Sequence, residues 1–524
     1  MKITKKFLSL TLALVMAASL LTGCGANDSQ GPAQTPDSPA VTNDSQSTNQ
    51  SAENVQETAA LERVTIDWYI VGETPTDAAE VNALVSDLLN DRYGLNVDFN
   101  LKFFGWGDFD DRMTINFQTG EPMDIVFATS WGAYNHFPPL AANGALYPLN
   151  DLLESYGQDI VSQLGGMNFF DGHIWRGEIY GVPVLGDMVQ LKGLTFRADL
   201  VDKYDFDYKS VKTLADIEPF LQTILDNEPG ITPLYIEPTN GMEDFGPGAG
   251  FYDSIGNPLV YNIASGEVIP RFDAPETVEL FHMMRDFYQK GYLPRDIASR
   301  TDLHAESASG NYAVMTSPSF MNDGLRSSEL WGYPCYDVQI PFQQYLTTAG
   351  LSSCTAAIPS SSLNPERAMM VMNAVWKDAD IFNILSFGIQ GTHWDFNNDG
   401  VVYFGAEYGN EGWGGPYHWM VANAFNRYPT TTESQELWDA MEARTRSATP
   451  SPIAGFTYDS SELRTENAQI DAIIVEMQSI LYTGSADVDS TLSDVRDRLI
   501  AAGINEVVAD VNQQLATWKA ENNK

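Results

Sequence analysis

Large aromatic residues stand in loop-like stretches of this chain, where a ring has no evident core to fill. Ser130-Trp131-Gly132-Ala133-Tyr134 follows an apolar run ending at Thr129, and His393-Trp394 and Trp413 sit among glycines. Flat rings of this kind can stack on the C–H face of a small polar molecule while nearby carboxylates and hydroxyls take up its polar rim. Glu73 and Thr74 follow the first strand-like run, as Trp131 and Tyr134 follow a later one. Loops after the carboxyl ends of parallel strands line the ligand crevice of open α/β sheets. A chain with 11 Trp can also spend most of them on its core, so each ring has a structural reading beside the functional one.

Patterns for other chemistry are absent or incomplete. The six His are scattered with no HExxH pair, no nucleophile elbow occurs, and no CxxC spacing suggests a metal. Asp395-Phe396-Asn397-Asn398-Asp399-Gly400 begins like a calcium loop, but its twelfth position is Ala406 and Glu407 comes one residue late, so it reads as a turn. Gly246-Pro247-Gly248-Ala249-Gly250 lacks the context of a dinucleotide loop and reads as a surface turn. With 70 acidic residues some carboxylates always look paired, so a two-carboxylate glycosidase needs a motif that is not found. The expectation is a protein without a cofactor or metal, and not an enzyme.

The elements that must hold these loops alternate in type. Val64 to Val71 is β-rich and is followed by a helical pattern through Val81, Val85 and Leu89. Leu95 to Phe103 and Met123 to Thr129 read as strands around a helix near Phe109 to Gln118. The continuous apolar third run fits a parallel sheet. Alternation resumes with strands at Leu191 to Phe196 and Leu234 to Ile236, a helix at Pro275 to Lys290 and a strand at Cys354 to Ile358. Asn364-Pro365-Glu366 caps a helix through Trp376, and further helices cover about Leu463 to Leu481 and Asn505 to Lys519.

At the start, Lys2, Lys5 and Lys6 precede an apolar run from Phe7 to Leu21 and then Leu21-Thr22-Gly23-Cys24. This reads as a signal peptide over 1–23 ending in a lipobox, with Cys24 as the lipidated first residue of the mature chain. The run is shorter than the roughly 20 apolar residues of a membrane span. Residues 24–60 carry almost nothing large and apolar and read as a disordered tether. A formal charge of −41 excludes nucleic acid as a partner, because a phosphate backbone needs a basic surface. Cys335 and Cys354 could form a disulfide or remain free thiols.

In order along the chain, Trp68-Tyr69-Ile70, Phe104-Gly105-Trp106-Gly107-Asp108, Gly120-Glu121-Pro122-Met123-Asp124-Ile125-Val126-Phe127, Asn143-Gly144-Ala145-Leu146-Tyr147-Pro148-Leu149, Gly177-Glu178-Ile179-Tyr180-Gly181-Val182-Pro183 and Asn364-Pro365-Glu366-Arg367-Ala368 resemble extracellular solute-binding lipoproteins of the family-1 type, relatives of the maltose-binding protein. The likeness is to the larger Gram-positive subgroup commonly assigned to complex sugars. It implies two α/β lobes of the periplasmic-binding-protein type II fold around a ligand cleft, with 61–190 and about 347–390 in lobe 1, and 191–346 and about 391–524 in lobe 2 and its C-terminal helices. It implies a monomer, lipid-anchored on the outer face of the cell membrane, that captures a sugar or oligosaccharide for an ABC permease. It adds Asp187 as an acidic contact, Glu237 facing the cleft from lobe 2, and Phe320 where a Trp is expected. An exported glycan-active enzyme and a binding module for a peptide or other polar solute are the competing readings.

Overall fold

The structure is a computed structural model that describes residues 61–131, 137–189, 191–238, 242–256, 258–300, 303–318, 323–342, 344–409, 412–522 and 524. Cys24, Tyr134 and Phe320 lie outside these residues. In the first lobe, strands β1 (Val64–Val71), β2 (Val97–Phe104), β3 (Ile125–Ala128) and β4 (Val182–Pro183) join a later strand in one sheet. Alternate residues of β2 are buried, whereas all of β3 is buried, as its unbroken apolar sequence requires. Helix α1 (Ala78–Tyr93) connects β1 to β2 and α2 (Phe109–Thr119) connects β2 to β3, so these three strands run parallel.

The second lobe is built on β5 (Lys192–Arg197), β6 (Thr232–Tyr235), β7 (Tyr312–Pro318) and β8 (Cys335–Gln339), in the order β8-β5-β7-β6, with only β6 and β7 parallel. Helix α3 (Pro275–Lys290) buries Leu280, Phe281, Met284 and Phe287 in the second core and ends at Gly291, whose φ of 88° is the left-handed conformation that a β-carbon would oppose. Helix α4 (Leu325–Trp331) precedes β8. The chain then returns to the first lobe, where β9 (Thr355–Ala357) runs antiparallel to both β3 and β4, completing the order β2-β1-β3-β9-β4. The expected parallel sheet is therefore mixed, because the returning strand enters from the other lobe instead of through a local crossover helix.

Helices α5 (Pro365–Lys377) and α6 (Ala379–Phe387) back the first sheet. Asn364 occupies the N-cap position of α5, but its side chain makes no capping bond; Pro365 at the first turn sets the entry instead. Asp378, by contrast, caps α6 by accepting from the backbone N–H groups of Asp380 and Ile381. Helix α7 (Gln435–Ser447) follows. Helices α8 (Arg464–Tyr482), α9 (Val488–Ala501) and α10 (Ile504–Glu521) then bury Ile470, Leu481, Val495 and Val511 in the second core.

Two cores define the lobes, and the chain passes between them around 189–194, 340–346 and 448–453. The stretch after 391 corrects the sequence reading. Trp413, Met420, Val421 and Ala422 belong to the first core, so this segment packs with lobe 1 and only the chain from Ile453 onward joins lobe 2. The reason is the buried floor between α6 and β2: the Trp413 indole donates to the Leu385 carbonyl at 3.1 Å and meets Phe103 edge-on at 5.9 Å. Cys335 and Cys354 are free thiols, the first on β8 and the second beside β9.

One buried carboxylate sets an expectation for stability. Asp253, in the strand Tyr252–Gly256, is 1 % exposed and burial pushes its carboxyl up to about 6, with the Ser451 hydroxyl and the Ser254 backbone pulling the other way. Its folded value lies above the unfolded one, so ionisation costs the folded state above pH 6, and the cost disappears as the pH falls through 6 toward 4. Asp253→Asn is expected to raise stability at pH 7.5 by about 2–3 kcal/mol, at 1.36 kcal/mol per unit, and to leave it nearly unchanged near pH 4. Urea unfolding at the two pH values measures this; equal effects at both would contradict it.

Candidate functional site

The loops at the carboxyl ends of β1, β2 and β3 open toward one side of the first sheet. Because β9 is antiparallel, its leading residues Ser353 and Cys354 reach the same side. A cavity of about 750 Å³ lies there, lined from this lobe by Glu73, Thr74, Trp106 and Trp131, from α4 of the other lobe by Arg326, Glu329 and Leu330, and from α7 by Leu437, Trp438, Met441 and Arg444.

Aromatic rings form its floor. Trp106 and Trp131 stack at 6.2 Å between centroids with planes 29° apart, and Trp419 lies 6.2 Å from the first and 6.5 Å from the second. Tyr417 stacks on Trp419 at 5.5 Å. Trp106 and Trp131 are each 53 % exposed and Tyr417 50 %. Folding normally hides such surface, so a contiguous patch of exposed rings at the bottom of a cavity is a ready platform for an apolar ligand face.

Facing the rings is a set of paired charges. Arg444 on α7 meets Asp187 at 2.7 Å. Burial raises the Asp187 carboxyl above its ordinary range, against the pull of that guanidinium. Arg427 is in contact with Glu433 and lies over the faces of Phe387 at 4.9 Å and Trp438 at 5.7 Å. Burial brings its guanidinium down to about 10. Arg326 pairs with Glu329 at 2.7 Å and approaches Glu433 at 4.0 Å, so α4 of the second lobe reaches the 427–433 segment across the cavity. His418, packed edge-on against Trp438 at 4.9 Å, is held well below its ordinary value by burial and by Arg427 and Arg326, and is neutral.

A clamp behind the site fixes the β1 loop. His393 is buried and its Nδ1 accepts from the Ile389 N–H at 2.8 Å, so Nε2 carries the proton and donates to Asp77 at 3.0 Å. A β-carbon on Gly388, whose φ is +83°, would come within 2.4 Å of Nδ1. The clamp thus ties the 388–393 turn to the start of α1, a few residues beyond Glu73 and Thr74.

Of the residues singled out in the sequence, the cavity brings together Glu73, Thr74, Trp131 and Asp187. Glu237 is half-buried just beyond β6 and is not part of the lining. Trp394 and Trp413 are corrections. They are 4 % and 0 % exposed, the former donating its indole N–H to the Gly388 carbonyl at 3.0 Å, and they fill cores that their glycine-rich sequence conceals. Asp395–Gly400 is the turn of the hairpin Trp394–Phe396/Val402–Phe404, closed by Asn397 Oδ1 accepting from the N–H groups of Asp399 and Val401. Trp106, Tyr417, Trp419, Arg326, Arg427, Glu433 and Arg444 were not anticipated. The run Gly414-Gly415-Pro416-Tyr417-His418-Trp419 carried the available signal, since glycine and proline beside closely spaced aromatics mark an irregular loop.

Two α/β lobes around a cavity that both of them line make up the two-lobed type II fold. Residues 89–333 match the family described as bacterial extracellular solute-binding protein. Residues 452–520 match a domain of unknown function, DUF3502. A carbohydrate ABC transporter substrate-binding protein of Streptococcus pneumoniae serotype 4 is 23% identical over 86% of this chain and 89% of its own length. Among solved structures, an N-glycan transport solute-binding protein from Streptococcus pneumoniae superposes with a TM-score of 0.76 at 21% identity, covering 88% of this chain and 100% of that one. The alginate-binding protein AlgQ2 superposes at 0.61 and 16% identity, covering 86% and 98%.

Proposed function

We propose that this protein captures a sugar or oligosaccharide in the interlobe cavity, without turning it over, and hands it to an ABC permease. The observation that carries this reading is the platform of exposed Trp106, Trp131 and Tyr417 with half-buried Trp419, in a cavity that paired arginines and carboxylates also line. The rings suit the C–H face of a pyranose, and Thr74, Asp187 and Glu73 suit its hydroxyls. The relatives named for carbohydrate and N-glycan transport support the same cargo class. The protein would act as a monomer outside the cell, held by lipid on Cys24 with 25–60 as a tether, and cavity closure would present a composite surface to the permease.

Thermal unfolding of residues 61–524 against mono- and oligosaccharides, with peptides and polyamines alongside, tests the cargo class. Ligand at a hundredfold excess over its Kd stabilises by about 2.7 kcal/mol, so a concentration-dependent rise in Tm with a saccharide is the expected result. A rise confined to peptides or polyamines would transfer the cavity to another solute.

A further inference from the structure

We infer that the cavity is built for an uncharged glycan and turns away sugars bearing carboxylate, sulfate or phosphate. This rests on the glycan reading above and sharpens it. The fold does not decide the matter, since a protein named for binding alginate, a polyuronate, shares it. The lining decides it.

Three arginines face the cavity, and each is already matched by a carboxylate: Arg444 by Asp187 at 2.7 Å, Arg326 by Glu329 at 2.7 Å, and Arg427 by Glu433. Arg427 is further fixed between the rings of Phe387 and Trp438. An anion seated on one of these guanidiniums comes up against that arginine's own carboxylate, and displacing it strands a side chain that is largely buried at Asp187 and Glu433.

The fourth carboxylate of the lining, Glu73, has no ion pair among the described residues. It lies along Gly105, where a β-carbon would come within 2.5 Å of its Oε1, and so stands beside the Trp106 platform. An anionic sugar on that platform meets a negative charge that no ion pair among the described residues offsets. A neutral sugar meets no such obstacle: its hydroxyls accept from guanidinium N–H groups left over by the ion pairs and donate to the free lone pairs of the carboxylates.

Titration calorimetry with matched probes tests this. Suitable pairs are mannose oligomers against mannuronate oligomers, N-acetyllactosamine against its sialylated form, and maltotriose against its phosphate ester. For any pair whose neutral member binds, the acidic member is expected to bind at least about tenfold more weakly, as like-charge juxtaposition in an interface requires. Asp187→Asn, which releases Arg444, is expected to narrow that ratio at least about threefold. An acidic member that binds as tightly as its neutral counterpart, or a ratio unmoved by Asp187→Asn, overturns the inference while leaving sugar capture in place. No binding by either member of any pair removes the glycan reading itself, and this inference with it.

Discussion

Trp131→Ala is expected to weaken binding of a recognised saccharide by about 30-fold or more, the effect of losing a central aromatic anchor worth at least about 2 kcal/mol. The melting temperature of the free protein should hardly change. Trp131 is 53 % exposed, and its partners Trp106 and Trp419 keep each other's company without it. Surface truncations of this kind fall within about 0.5 kcal/mol. Calorimetric titration paired with thermal unfolding of the same preparation separates the two effects. Unchanged affinity would remove the platform from the account, and a large loss of stability would make Trp131 a structural ring.

Trp413→Ala is expected to do the opposite. The side chain is fully buried, donates to the Leu385 carbonyl and packs edge-on against Phe103, so its removal leaves a cavity in the first core and should cost about 3–5 kcal/mol. A shift of that size in the urea midpoint is the measurement. Binding at saturating stability should fall only as far as the 414–419 loop loses its support. A stable Trp413→Ala protein that no longer binds would restore Trp413 to the ligand.

These two tryptophans also show where sequence stops being informative. Both occur among small and polar residues, and local composition treats them alike. What separates them is tertiary: Trp413 folds under α6, whereas Trp131 ends at the mouth of a parallel strand, half exposed, with the rings of Trp106 and Trp419 against it. The fold was the more legible part because periodicity is local. The unbroken apolar β3, the alternating β2 and the Gly291-terminated α3 each appear in the residues that form them.

Connectivity was less legible. The antiparallel entry of β9 and the return of residues 413–422 to the first core depend on contacts hundreds of positions apart in the chain, such as that of Phe103 with Trp413. Within the site, Glu73 and Thr74 could be found because they follow a strand at its carboxyl end. The Arg427–Glu433 and Arg444–Asp187 pairs could not, because an acidic chain offers every arginine many candidate carboxylates.

The central claim is reversible capture of a glycan at the tryptophan platform, and it is tested most directly by calorimetric titration with the saccharide that gives the largest thermal shift, followed by mass analysis of the recovered sugar. The account expects one saturable site per chain, lost in Trp131→Ala, and a sugar returned intact. A cleaved sugar, or binding that neither saturates nor depends on Trp131, would contradict it.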